Sequence, residues 1–116
     1  AIHYTGTGPG TCFSLDLPGS AYRAVDNNLC FGPSASSHEW ELGSGDLAAW
    51  RAASSLDMSS LSAEPAFTAP AGPAHDLRPS SAASPCVGAG HPTDSSPIDL
   101  TGAARDAAPD IGAYEL

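Results

Sequence analysis

Residues 99–115 read Asp99-Leu100-Thr101-Gly102-Ala103-Ala104-Arg105-Asp106-Ala107-Ala108-Pro109-Asp110-Ile111-Gly112-Ala113-Tyr114-Glu115, and the fold is decided here. The apolar side chains come in pieces too short for a helix face, Leu100 and then Ile111 to Tyr114, with Gly, Pro and Asp between them. Brief extended segments in a coil-like wrap are expected. A single cation, Arg105, stands among Asp99, Asp106, Asp110 and Glu115. A guanidinium carries five donors in a fixed fork and can hold two carboxylates. Arg105, Asp99, Asp110 and Glu115 are therefore expected to form a structural bridge that knits the closing loops together.

The same texture extends upstream. Of the 116 residues, 60 are Ala, Ser, Gly or Pro, and only 18 are Leu, Ile, Val or Phe. That is about 16% strongly apolar, under the roughly 20% below which a highly charged chain tends to stay disordered. Two Trp, three Tyr and three Phe argue against plain disorder. The length leaves room for one domain, expected to be marginal alone and part of something larger. The net charge is −9, with no Lys and only Arg23, Arg51, Arg78 and Arg105. No basic stripe can neutralise phosphates, which excludes nucleic acid, and no clustered cations favour an anionic membrane. No apolar run nears the ~18 residues of a spanning helix. The opening Ala-Ile-His-Tyr-Thr-Gly lacks the regions of a signal peptide, so any export signal is expected to be gone already.

Residues 1–20 are punctuated by Gly6, Gly8, Pro9, Gly10, Pro18 and Gly19, so strands must be short, and Gly6 to Gly10 reads as a turn. Ala21 to Phe31 alternates loosely and breaks at Asp26-Asn27-Asn28, where left-handed residues are easy, giving two strands about a corner. Asp46 to Ala53 is the one convincing helix, near residues 45–55. Its N-cap is Ser44 or Gly45, Asp46 lies in its first turn, and Leu47, Trp50 and Ala53 share a face. Trp40, between polar neighbours, reads as the more exposed indole. Leu56 to Phe67 reads as a loop and a short strand ending at Pro65, and Pro70 to Pro73 as a turn.

Cys12 and Cys30 are each followed by Phe and suit a bridge between adjacent layers in an oxidising compartment, with two free thiols as the open alternative. Cys86 is left unpaired and reads as a small buried apolar residue. No CxxC occurs, so cysteine metal sites are not expected. Carboxylate pairs such as Glu39 with Glu41 lack a third group, and the four His meet no Gly-x-Ser-x-Gly elbow, so no catalytic residue is assigned. Calcium, through Asp94, Asp99 or Asp110 with backbone carbonyls, is the one metal considered. No EF-hand or nonapeptide pattern supports it, and no metal or cofactor is assigned.

The order of short motifs resembles the C-terminal end of extracellular right-handed parallel β-helix proteins of the pectate-lyase-like kind, including the choice-of-anchor Q group. The carriers are His75-Asp76-Leu77-Arg78-Pro79, Ser84-Pro85, Gly88-Ala89-Gly90, Asp99 to Arg105 and Pro109 to Glu115. Upstream, Asp26-Asn27-Asn28-Leu29, the Trp50 helix, Leu56-Asp57-x-x-Ser60-Leu61 and Glu64-Pro65-x-Phe67 resemble the last coils. The likeness spans about residues 22–116. It departs at Gly88, where a carboxylate is common, and in the scarcity of Val and Ile.

This resemblance implies an all-β fold: the last coils and C-terminal cap of a right-handed parallel β-helix, with one short helix and much irregular loop. Residues 1–70 would be terminal coils and residues 71–116 the capping segment, covering strand edges and an open apolar end. The implied role is a non-catalytic structural cap of a secreted or cell-surface protein. Its partners would be further coils of its parent, another chain or a copy of itself. The alternative is a portion of a polysaccharide lyase or glycoside hydrolase, with Trp40, His38 and Glu39 lining a glycan groove.

Overall fold

In the computed structural model the described residues are 2, 3, 10–13, 21, 22, 24–32, 38–41, 45–71 and 73–116. Strands are short, as the spacing of Gly and Pro requires. They are β1 (Ile2–His3), β2 (Gly10–Phe13), β3 (Leu29–Phe31), β4 (His38–Glu41), β5 (Leu61–Ser62), β6 (Phe67–Ala69) and β7 (Asp76–Pro79), with α1 (Leu47–Ser54) between β4 and β5. Among the described residues, strand and loop dominate around this one helix. The reading of Gly6 to Gly10 as a turn lies, but for Gly10, outside the described residues, as does Ser44.

Two of the three sheets are parallel. The first has the order β1-β3-β5 and the second pairs β2 with β4, while β6 and β7 form an antiparallel hairpin. In the first sheet Ile2 lies opposite Cys30 and Leu29 opposite Leu61. In the second, Gly10 lies opposite His38 and Phe13 opposite Glu41. The first step, Ile2 to Cys30, advances the chain by 28 residues, and Gly10 to His38 advances it by the same 28. Both parallel pairings therefore join residues the same distance apart in sequence. The next step, Leu29 to Leu61, takes 32 residues and contains α1. Parallel strands need such long connections because the chain must travel back before each new strand.

Leu29 and Cys30 are both buried and face different clusters. Cys30 packs with Cys12, Trp40, Leu47 and Trp50. Leu29 packs with Cys86 and Ile111 from the tail, flanked by Leu61, Phe67 and Ala89. Leu29 and Leu61, opposite each other in the first sheet, thus share one cluster with tail residues. The disulfide between Cys12 and Cys30 is formed and ties β2 to β3, crossing from the first turn of chain to the second. Cys86 is a free, buried thiol, and burial pushes its pKa up.

Three local expectations are corrected. The N-cap of α1 is Asp46, not Ser44 or Gly45: its backbone is extended and its carboxylate accepts the Ala49 amide at 2.9 Å. A carboxylate at that position satisfies a donor the first helical turn leaves free. Ala53 is exposed, and only Leu47 and Trp50 of α1 are buried. Ala21, Tyr22, Ala24 and Val25 lie in no strand, so among the described residues the corner at Asn27, with φ of 53°, leads into β3 alone. A hairpin also forms beyond Pro65, where Ala66 takes φ of 50° and turns the chain into β6.

Candidate functional site

Two polar networks organise the molecule. At the first, the corner meets the segment after α1. Ser55 ends the helix in a left-handed conformation, and Asp57 follows with φ of 54°. This double reversal buries the Asp57 carboxylate completely. The carboxylate accepts from Trp50 Nε1 at 2.8 Å, Asn28 Nδ2 at 2.8 Å and the Ser60 hydroxyl at 2.6 Å. The Asp57 amide donates to Val25 O at 2.7 Å, and Arg51 Nε donates to Asp57 O at 2.7 Å. A buried carboxylate is tolerated only when its lone pairs are used in this way. Helix, corner and the segment leading into β5 are thus fixed to one side chain. Beside it, Asp26 accepts from the Asn27 and Ser59 amides. Burial alone would raise the Asp26 carboxyl, yet those donors hold it below its ordinary value.

The second network closes the tail. Arg105 Nη1 donates to Glu115 Oε2 at 2.8 Å and to Asp110 O at 3.1 Å, and Nη2 donates to Gly112 O at 2.6 Å. Both ends of the ion pair are nearly buried, with side-chain exposures of 8% and 11%. The Glu115 carboxylate also accepts the amides of Asp110 at 3.0 Å and Asp106 at 3.2 Å. Burial would raise its pKa, but these amides and the guanidinium outweigh it and lower the value. Asp99 is buried. It accepts from the Thr101 hydroxyl at 2.6 Å, the Thr101 and Ala103 amides, and the Glu115 amide at 3.2 Å. Chiefly through Thr101, its carboxyl is held down at about 2. Asp110 accepts from the Gly88 amide at 2.8 Å and the Leu116 amide at 3.0 Å.

The expected bridge therefore has a different wiring. Arg105, Asp99, Asp110 and Glu115 do meet in one network, but the guanidinium touches a single carboxylate, Glu115. Asp99 is taken up chiefly by the nearby Thr101 and Ala103 amides, and Asp110 by the amides of Gly88 and Leu116, which the fold brings to it. Arg105 then binds the carbonyls those turns turn outward. Tail and corner are joined by Asn27 Nδ2 donating to Ala89 O at 3.0 Å. Gly90 is held so close to the tail that a Cβ there would stand 2.7 Å from Pro109 O, a contact only glycine avoids.

Between corner and tail lies an open polar cleft of about 620 Å³, with Asp26, Asn28, His91, Asp94 and Arg105 in its walls. A smaller cleft of about 370 Å³ shares the Arg105 wall. Arg105 Nε is buried in that partition and meets no acceptor among the described residues.

The glycan-contact expectation is corrected at its aromatic. Trp40 is 1% exposed and packs in the cluster around the disulfide, so it offers no platform to a sugar. The side chains of His38 and Glu39 lie outside the described residues. Of the three carboxylates named for calcium, Asp94 is exposed, whereas Asp99 and Asp110 are buried. No group of three or more His, Cys, Asp or Glu able to hold a metal ion is found among the described residues. No helix among them is long and apolar enough to cross a membrane. Asp57, which holds the first network together, carries no role in the sequence reading, although its Asp57-x-x-Ser60 spacing is part of the family resemblance. No family model matches the chain, and no curated protein or solved structure is found to be similar to it.

Proposed function

We propose that this chain is a non-catalytic structural end piece of a secreted or cell-surface protein built from stacked parallel coils, a right-handed parallel β-helix. It would close one end of the stack and dock further coils at the other. The observation that carries the reading is the common 28-residue step in two separate parallel sheets, with a tail whose Cys86 and Ile111 seat against the last stacked pair, Leu29 and Leu61. A stack of coils needs such a cover because its last turn otherwise exposes apolar side chains and unpaired backbone. The disulfide supports an oxidising, extracellular setting. The alternative, a glycan-binding portion of a lyase or hydrolase, loses support because Trp40 is interior.

Native mass spectrometry of the protein as isolated from its source tests the proposal. The expected result is this sequence within a longer polypeptide, or in a stable complex with one. A lone 116-residue species would overturn it.

A further inference from the structure

We infer that the open cleft between corner and tail binds an aliphatic diamine or polyamine, with one ammonium group on the corner at residues 26–28 and a second at Asp94 on the tail side. Every group invoked belongs to this chain, so the site does not depend on what the chain docks to.

The corner supplies the first half. Asp26, Asn27 and Asn28 all line the cleft, and each is anchored through one side-chain atom. Asp26 Oδ1 accepts the Asn27 amide at 2.9 Å and the Ser59 amide at 2.7 Å. Asn27 Nδ2 donates to Ala89 O at 3.0 Å, and Asn28 Nδ2 donates to Asp57 Oδ1 at 2.8 Å. This anchoring uses up donors and leaves acceptors. Asp26 Oδ2, Asn27 Oδ1 and Asn28 Oδ1 meet no donor among the described residues. One carboxylate oxygen and two amide oxygens on consecutive residues match a primary ammonium, which carries three donors and no acceptor. Although burial opposes it, the Asn27 and Ser59 amides hold the Asp26 carboxyl below its ordinary value, which keeps it charged.

The tail supplies the second half. Asp94 is exposed, and among the described residues its carboxylate meets only the Thr93 hydroxyl at 3.4 Å and the His91 ring at 3.5 Å. Both contacts are longer than a good charge-assisted hydrogen bond. His91 Nδ1 serves as an acceptor for the Asp94 amide at 3.1 Å. The guanidinium in the wall is already spent: Arg105 directs its Nη groups to Glu115 and to the carbonyls of Asp110 and Gly112, and its Nε is buried. Its charge is matched by Glu115, which leaves Asp26 and Asp94 uncompensated.

The two carboxylates sit on separate walls and not around one point. Among the described residues no trio of His, Cys, Asp or Glu able to hold a metal ion occurs. That arrangement suits positive charges spaced along a flexible chain. A cleft of about 620 Å³ gives such a chain room, and the net charge of −9 raises the local concentration of cations.

The test is titration with putrescine at physiological ionic strength, followed by calorimetry and by amide NMR. Saturable shifts are expected at residues 26–28 and 91–94, including the side-chain amides of Asn27 and Asn28. Butanediol, of the same length without charge, should not bind, and butylamine, with one charge, should bind at least fivefold more weakly. Asp26→Asn keeps an oxygen for the two amides but puts a donor in place of the free oxygen, and Asp94→Asn removes the second charge. Each should weaken putrescine at least fivefold. Glu64→Gln, outside the cleft, removes the same unit of charge and should change the affinity less than twofold. Absence of saturable shifts would overturn the proposal, as would butylamine or butanediol binding as tightly as putrescine. A loss from Glu64→Gln equal to that of the cleft variants would also overturn it, because the attraction would then be diffuse. The comparison of the three ligands uses the unaltered chain and holds whether or not a variant folds.

Discussion

Breaking the Cys12–Cys30 disulfide is expected to separate the first turn of chain from the second. The two cysteines are 18 residues apart in sequence, in β2 and β3, and both sulfur-bearing side chains lie in the cluster of Trp40, Leu47 and Trp50. Constraining a loop of that length in the unfolded chain removes roughly 11 cal/mol/K, or about 3 kcal/mol at room temperature. A chain of 116 residues has an unfolding entropy near 0.24 kcal/mol/K, taking about 2.1 cal/mol/K per residue. Loss of the bridge should then lower the midpoint by about 12 °C. The assay is scanning calorimetry of the Cys12→Ser, Cys30→Ser double variant against the parent, with Cys86 left in place in both. Amide exchange in the same samples should quicken first in β1 and β2, since the other half is held by the tail. A midpoint shift under 3 °C, or equal loosening at β5 and at the tail, would refute the idea that the bridge clamps the outer turn.

Arg105→Ala leaves the Glu115 carboxylate in a nearly buried place without its cation, and the cost is expected at about 3 kcal/mol. Urea denaturation checks this, and a change below 1 kcal/mol would mark the pair as a surface contact. Asp57→Ala strands the donors on Trp50, Asn28 and Ser60. At about 1 kcal/mol or more for each unmet buried donor, a loss near 3 kcal/mol is expected, with a shift of Trp50 fluorescence as an independent readout. The Asp99 carboxyl lies at about 2, below its ordinary 3.8. A depressed carboxyl adds stability above the unfolded value, and that share is lost as pH falls through the folded one. The tail should therefore weaken between about pH 4 and pH 2. Asp99→Asn should remove much of that dependence in an acid titration followed by circular dichroism, and an unchanged slope would contradict the assignment.

Much of the local structure could be read from residue types because short-range chemistry dictates it. Asn27 was expected at a corner because Asn tolerates the left-handed region, and it takes φ of 53° there. Leu47 and Trp50 share a helix face three residues apart, which places both in the core. Trp40 was misread because polar neighbours say little within a strand, where successive side chains point to opposite faces. Asp57 escaped because its role depends on two consecutive left-handed turns that bring residues 25–28 against residues 50–60, a long-range event. The 28-residue step was invisible for a similar reason. Ile2 and Cys30, or Gly10 and His38, share no motif, and strands of two to four residues carry almost no periodic signal. In the tail the membership of the Arg105 network followed from composition. Its wiring did not, because amides distant in sequence, such as that of Gly88 on Asp110, take up the carboxylates, and only the fold brings them together.

The most direct test of the stacked-coil account is amide hydrogen exchange at β1 and β2, compared between the protein as isolated from its source and the 116-residue chain alone. The account predicts that the outward amides of Ile2–His3 and Gly10–Phe13 exchange slowly in the native material and at least tenfold faster in the isolated chain, while β5 and the tail stay equally protected in both. Identical exchange at β1 and β2 in the two samples would contradict it, because nothing would then be docked on the open end.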